Sequence, residues 1–80
     1  MKLPRDLTGA ALSKRLARLG YTVTRQTGSH VRLTSNERGE HHVTVPRHDP
    51  LRVGTLASIL DAVAGHHGLR RDELLSRLFD

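Results

Sequence analysis

The chain has 80 residues, enough for one domain spanning 1–80 and one modest core. It has no cysteine and no uninterrupted apolar run longer than the three residues Ala10–Leu12, which excludes disulfides, thiolate metal sites, a membrane span and a signal-peptide core and leads us to expect a cytoplasmic protein. Thirteen Lys and Arg against eight Asp and Glu give a net charge of +5, and residues 1–60 carry ten of the basic side chains with only four acidic ones. That asymmetry favours a polyanionic partner, because each phosphate neutralised by a cation releases condensed counterions.

Asp6-Leu7-Thr8 before Gly9-Ala10-Ala11-Leu12 reads as the start of a helix with Thr8 or Asp6 as N-cap. Leu12, Leu16 and Leu19 fall at i, i+4 and i+7 and predict a helix over 9–19, stopped by Gly20, with Lys14, Arg15 and Arg18 turned to solvent. Tyr21–Arg25 is rich in β-branched residues and alternates, which predicts a half-buried strand with Tyr21 and Val23 inward. Thr27-Gly28-Ser29 is a turn, and in His30–Thr34 the alternation sets Val31 and Leu33 on one face, His30, Arg32 and Thr34 on the other. Ser35–Glu40 reads as a hairpin loop and His42–Pro46 as a third strand with Val43 and Val45 inward. Leu56, Ile59, Leu60 and Val63 define a second helix, with Thr55 expected as its cap and Gly65 as its stop. Leu69 to Glu73 opens a short third helix whose Leu74, Leu75 and Leu78 fit core packing or, alternatively, a partner contact.

The expected fold is therefore α+β: a three-stranded antiparallel meander in the order α-β-β-β-α plus a short C-terminal helix, with the helices on one face. This two-layer sandwich has the architecture of the double-stranded RNA-binding domain, although architecture alone does not decide function. The only aromatic rings beyond histidine, Tyr21 and Phe79, are too few for a base-stacking sheet module.

Of the six histidines, His41-His42 and His66-His67 are adjacent pairs. Neighbours on a strand point to opposite faces, so neither pair reads as a chelate, and both are expected to be solvated loop residues. His30 is placed differently, on the wet face of a strand beside Arg32. An imidazole there can act as acid or base while guanidiniums hold a phosphodiester and backbone N–H groups near Gly28 reach its oxygens. His48, in Pro46-Arg47-His48-Asp49-Pro50, is the second candidate, although its adjacent Asp49 fits a local turn as well as an orienting role.

Leu3-Pro4-Arg5, Leu19-Gly20-Tyr21, Gly28-Ser29-His30, Val45-Pro46-Arg47-His48, Gly54-Thr55-Leu56 with Ser58-Ile59-Leu60, and Gly68–Leu74 occur in the order found in the HicA toxin family. The sequence resembles that family over nearly its whole length, and the motifs are specific in combination. Two departures stand out: Gly65-His66-His67-Gly68 looks longer than the family's usual link before the last helix, and Tyr21 stands where Phe is common. The resemblance implies a ribonuclease of a type II toxin–antitoxin system that cleaves mRNA and is neutralised by a HicB-type antitoxin. It implies a fold similar to the double-stranded RNA-binding domain, and it makes His30 the catalytic residue. Joined to the reading of the residues, it gives a metal-independent reaction with no cofactor. Arg32 would stabilise the phosphorane, Arg25, Ser29, Arg47 and His48 would contact RNA, and Lys14, Arg15 and Arg18 would track its backbone. His48 or His42 would be available as a second acid or base. The alternatives are a non-catalytic basic RNA-binding module and a chain that serves mainly as a partner-binding surface.

Overall fold

The Thr8 hydroxyl accepts the Ala11 N–H at 3.0 Å and so caps the first helix. In the computed structural model, which describes residues 3–80, this helix, α1, runs over Gly9–Leu16. It tightens into a 3-10 turn over Ala17–Leu19 and ends at Gly20, whose φ of 83° is left-handed. The chain then forms β1 (Thr22–Thr27), β2 (His30–Ser35), β3 (His41–Pro46), α2 (Val53–His67) and α3 (Arg71–Phe79). The three strands make an antiparallel meander in the order β1-β2-β3. All helices cover one face of it, in the double-stranded RNA-binding-domain arrangement that the sequence predicts.

Leu12, Leu16 and Leu19 meet Val31, Leu33, Val43 and Val45 of the sheet and Leu56, Leu60 and Val63 of α2 in one buried cluster. Each such side chain contributes about 1.5–3 kcal/mol by leaving water. Leu74, Leu75 and Leu78 of α3 are buried in the same cluster, so that helix completes the core. Arg18 donates to the carbonyls of Arg77 and Asp80 and caps the C-terminal end of α3. The Arg71–Asp61 ion pair ties α3 to α2.

Several expectations are corrected. Val23 is 56% exposed, because β1 is an edge strand and an open groove lies between it and α1. Ser35 belongs to β2 rather than the loop, and its buried hydroxyl donates to the Leu19 carbonyl. Arg52, not Thr55, stands at the N-cap of α2. Gly65 does not stop that helix, which continues to Gly68 at φ 65°. The His66-His67 pair therefore extends α2 instead of lengthening a link.

Candidate functional site

The β1–β2 connection is a two-residue turn, with Thr27 paired to His30 across Gly28 and Ser29. Gly28 has φ +57°, the positive value that the first position of a tight hairpin turn of this kind requires. The Arg47 N–H donates to the Ser29 carbonyl at 2.6 Å and fastens the end of β3 to this turn. His30 opens β2 there, exposed and paired on its other side with Pro46.

On the sheet face away from the helices the residues form cross-strand rows. Thr27, His30 and Pro46 make the first, and Arg25, Arg32 and Thr44 the second. Successive same-face residues on a strand stand about 7 Å apart, so the guanidinium row lies one phosphate's reach from the imidazole. Arg25, Thr27, His30, Arg32 and Thr44 line an open depression of about 220 Å³.

Regular pairing from the turn sets Arg25 on this face, two residues from Thr27, but β1 is irregular beyond it. Val23 pairs with Leu33 and Arg25 with Arg32, so two steps along β1 answer one step along β2, and Thr24 is the extra residue. Strict alternation would have left Val23 and Arg25 on one face; the bulge separates them. Two arginines directly opposite each other repel, and no ion pair among the described residues neutralises either one. The open face therefore carries concentrated, uncompensated positive charge suited to an anion.

The other candidates lie apart from this depression. Ser29 is in the turn itself. Arg47 is exposed at the same end of the sheet but lines a groove with Ala10, Ser13, Val23, Gln26 and Val31, between α1 and β1. His48 is exposed in the following loop, and its carbonyl accepts the Gly9 N–H. Lys14 and Arg15 on α1 and Arg18 in the 3-10 turn after it sit together in the helical layer, where Arg15 lies over the Phe79 ring and Arg18 caps α3. The structure does not bring those three to His30. Thr27 and Thr44, absent from the sequence reading, join the site, and Thr27 could have been found as the residue facing His30 across the turn.

His41, His66 and His67 depart from the solvated loop positions expected of them. At the end of the sheet remote from His30, the Tyr21 hydroxyl lies 2.7 Å from His41 Nδ1 and 3.1 Å from His67 Nε2. His66 stacks on His41 with centroids 4.3 Å apart and donates from Nε2 to the Glu37 and Gly39 carbonyls. Burial and the neighbouring imidazoles hold His41 and His67 below the ordinary histidine value. For His67 the signal was in the helical spacing: it follows Val63 by four residues on the apolar stripe of α2. Among the described residues no group of three His, Cys, Asp or Glu is placed to hold a metal ion.

An accessible imidazole at a strand end, beside unneutralised guanidiniums on a small α+β sandwich, defines a protein equipped to act on a polyanionic strand. The model of the family described as the HicA toxin of bacterial toxin–antitoxin systems matches residues 9–64, from the start of α1 well into α2. The chain belongs to the HicA toxin family. It is a toxin of the ribonuclease class, and membership implies RNA as target and a HicB-type antitoxin as partner. Comparison with curated proteins and with solved structures gives no match. No helix among the described residues is long and apolar enough to cross a membrane.

Proposed function

We propose that His30 is the catalytic residue of this toxin and that mRNA lies across the open sheet face, held by Arg25 and Arg32. The observation that carries this reading is the row structure of that face: one exposed imidazole at the turn and two unpaired guanidiniums in the adjacent row. His30 takes the proton of a ribose 2′-hydroxyl, and the oxygen attacks the adjacent phosphorus. The bond to the 5′-oxygen then breaks as that oxygen takes up a proton, leaving a 2′,3′-cyclic phosphate and a 5′-hydroxyl. If His30 instead serves as the acid for the 5′-oxygen, water completes the other transfer. Arg25 and Arg32 oppose the charge that builds on the phosphoryl oxygens. No step requires a metal ion or a cofactor.

Ser29, Arg47 and His48, at the same end of the sheet, contact the flanking strand. Lys14 and Arg15, on the helical layer, engage only RNA long enough to pass around the molecule. DNA resists cleavage because it lacks the attacking hydroxyl. A HicB-type antitoxin neutralises the toxin by binding it.

Cleavage of an RNA and its DNA counterpart by wild type and His30→Ala, in EDTA, tests the reading. RNA cutting by wild type alone is expected, with the variant slower by about 10²–10⁴-fold, the usual size of an acid–base contribution. Equal rates would remove His30 from the site, inactivity of the wild type in EDTA alone would require a metal, and RNA retention without cutting would favour a binding module. His30→Ala should still shift the elution of the antitoxin.

A further inference from the structure

His42 stands on the open face, two rows from His30. It pairs with Thr34, as Arg32 pairs with Thr44 and His30 with Pro46, so the face reads as imidazole, guanidiniums, imidazole along the strands. At about 7 Å per row, each step is close to the rise of one nucleotide in an extended strand. His30 and His42 are the only aromatic rings that the described residues place on this face. Their rows lie about 13 Å apart, too far for both imidazoles to serve one phosphorus, so His42 is no second acid or base for the same bond.

The His42 ring is held at both nitrogens. Nδ1 lies 2.7 Å from the Thr34 hydroxyl and Nε2 lies 3.2 Å from Glu40 Oε2. A carboxylate only accepts, so Nε2 carries a proton and donates to Glu40, whichever form Nδ1 takes. Thr34 is 8% exposed although it lies on the open face. The His42 ring closes over its hydroxyl from β3, and the Thr24 hydroxyl, 2.8 Å away, does so from β1. The ring therefore leans across the sheet toward β2. The His42 side chain still keeps 36% exposure, and with both nitrogens engaged that surface offers ring carbon and π-face.

A ring fixed at its polar edge and open elsewhere is suited to stack a base, an attraction that every base can supply. We propose that His42 is a base-stacking platform for the RNA strand. With the scissile phosphate between His30 and the arginine row, the ring takes the base of a nucleotide one step beyond the arginines. Thr34 and Glu40 hold the ring beforehand, so little side-chain freedom is lost when the base arrives. The inference rests on the reading of the open face as the RNA site.

Two strands of equal length test it on a His30→Ala background: an oligoribonucleotide, and an abasic chain that keeps ribose and phosphate but lacks the bases. Binding of each is measured across a salt titration. On the base-bearing strand His42→Ala should weaken binding at least about fivefold, the low end for one base on an aromatic ring. The slope of log affinity against log salt should not change, because a stack releases no counterions. On the abasic chain the same substitution should have no effect. His42→Phe keeps a ring without the nitrogens and should retain the base-dependent binding that alanine loses. With His42 intact, the base-bearing strand should move the His42 ring-proton resonances upfield and the abasic chain should not, a readout that needs no variant at position 42 to fold.

Equal losses from His42→Ala on the two strands, or none on either, would overturn the inference. So would a phenylalanine variant as weak as the alanine one, or ring protons that do not respond to the bases. Arg25→Ala tests the reading beneath it. That variant should weaken both strands and flatten the salt slope by about 0.7, the value of one single-strand phosphate contact. Normal binding by Arg25→Ala would remove the open face as the RNA site, and this inference with it. A loss there with no effect at His42 would remove the platform alone.

Discussion

Tyr21 has one phenolic proton and two imidazole nitrogens in reach of it. Burial, reinforced by the Glu37 carboxylate, pushes its ionisation up to about 12, so the phenol donates to one ring and accepts from the other. Tyr21→Phe leaves both nitrogens without that partner, and His67 is only 5% exposed. A loss of about 1–3 kcal/mol is expected, the cost of stranding buried polar groups. Urea denaturation reads it, and an unchanged midpoint would show that the network adds nothing to stability. The same network makes stability depend on pH. His41 and His67 titrate below their ordinary value of 6.5 in the folded chain, chiefly through burial and then through His66, which outweighs the opposing Glu37 at His67. Between the folded and unfolded values the unfolded chain binds more protons. Their contribution is therefore complete above 6.5 and is lost as pH falls toward the folded values. The melting temperature should drop through this window, and less so in His67→Asn. Equal slopes in the two proteins would contradict the assignment.

At the scale of elements, most of the fold was legible because periodicity and punctuation agreed. Leu12, Leu16 and Leu19 form the buried stripe of the first helical segment, Thr8 caps it and Gly20 ends it. Two of the features that escaped show contacts between elements overriding a local signal. Gly65 looked like a stop, but a helical glycine costs only about 1 kcal/mol relative to Ala, and continuing for one more turn buries His67 against Tyr21. The bulge at Thr24 was invisible because Thr22, Val23, Thr24 and Arg25 alternate cleanly. Only the demand that Val23 pair with Leu33 while Arg25 pairs with Arg32 reveals it. For the site, the position of His30 beside Arg32 followed from alternation, whereas Arg47, Lys14 and Arg15 were grouped with it by charge, and charge carries no direction. The extent of α2 gives a direct test. Gly65 is exposed, with nothing within 4 Å of where a Cβ would stand, so Gly65→Ala should stabilise by about 0.4–1 kcal/mol. A lower melting temperature would mean that the chain needs glycine's freedom there and that the helix ends early.

At the scale of the whole molecule the sheet divides its work between two faces and two ends. One face is spent on the core. The other is left open, with its arginines unneutralised and its imidazole at the turn. The network around Tyr21 closes the far end, about 13 Å or more away along the strands, where it steadies the β2–β3 loop and the end of α2 without facing the depression. If His30 carries the chemistry as proposed, stability and chemistry fall to different histidines, and changes in one group should leave the other's readout in place. The account turns on His30 working through the 2′-hydroxyl of the strand it cuts. Mass spectrometry of the ends left on a short RNA by the wild-type toxin addresses that most directly. A 2′,3′-cyclic phosphate, or the 3′-phosphate that follows from its hydrolysis, facing a 5′-hydroxyl is the expected result. A 3′-hydroxyl facing a 5′-phosphate would show that water, not the ribose, attacks the phosphorus.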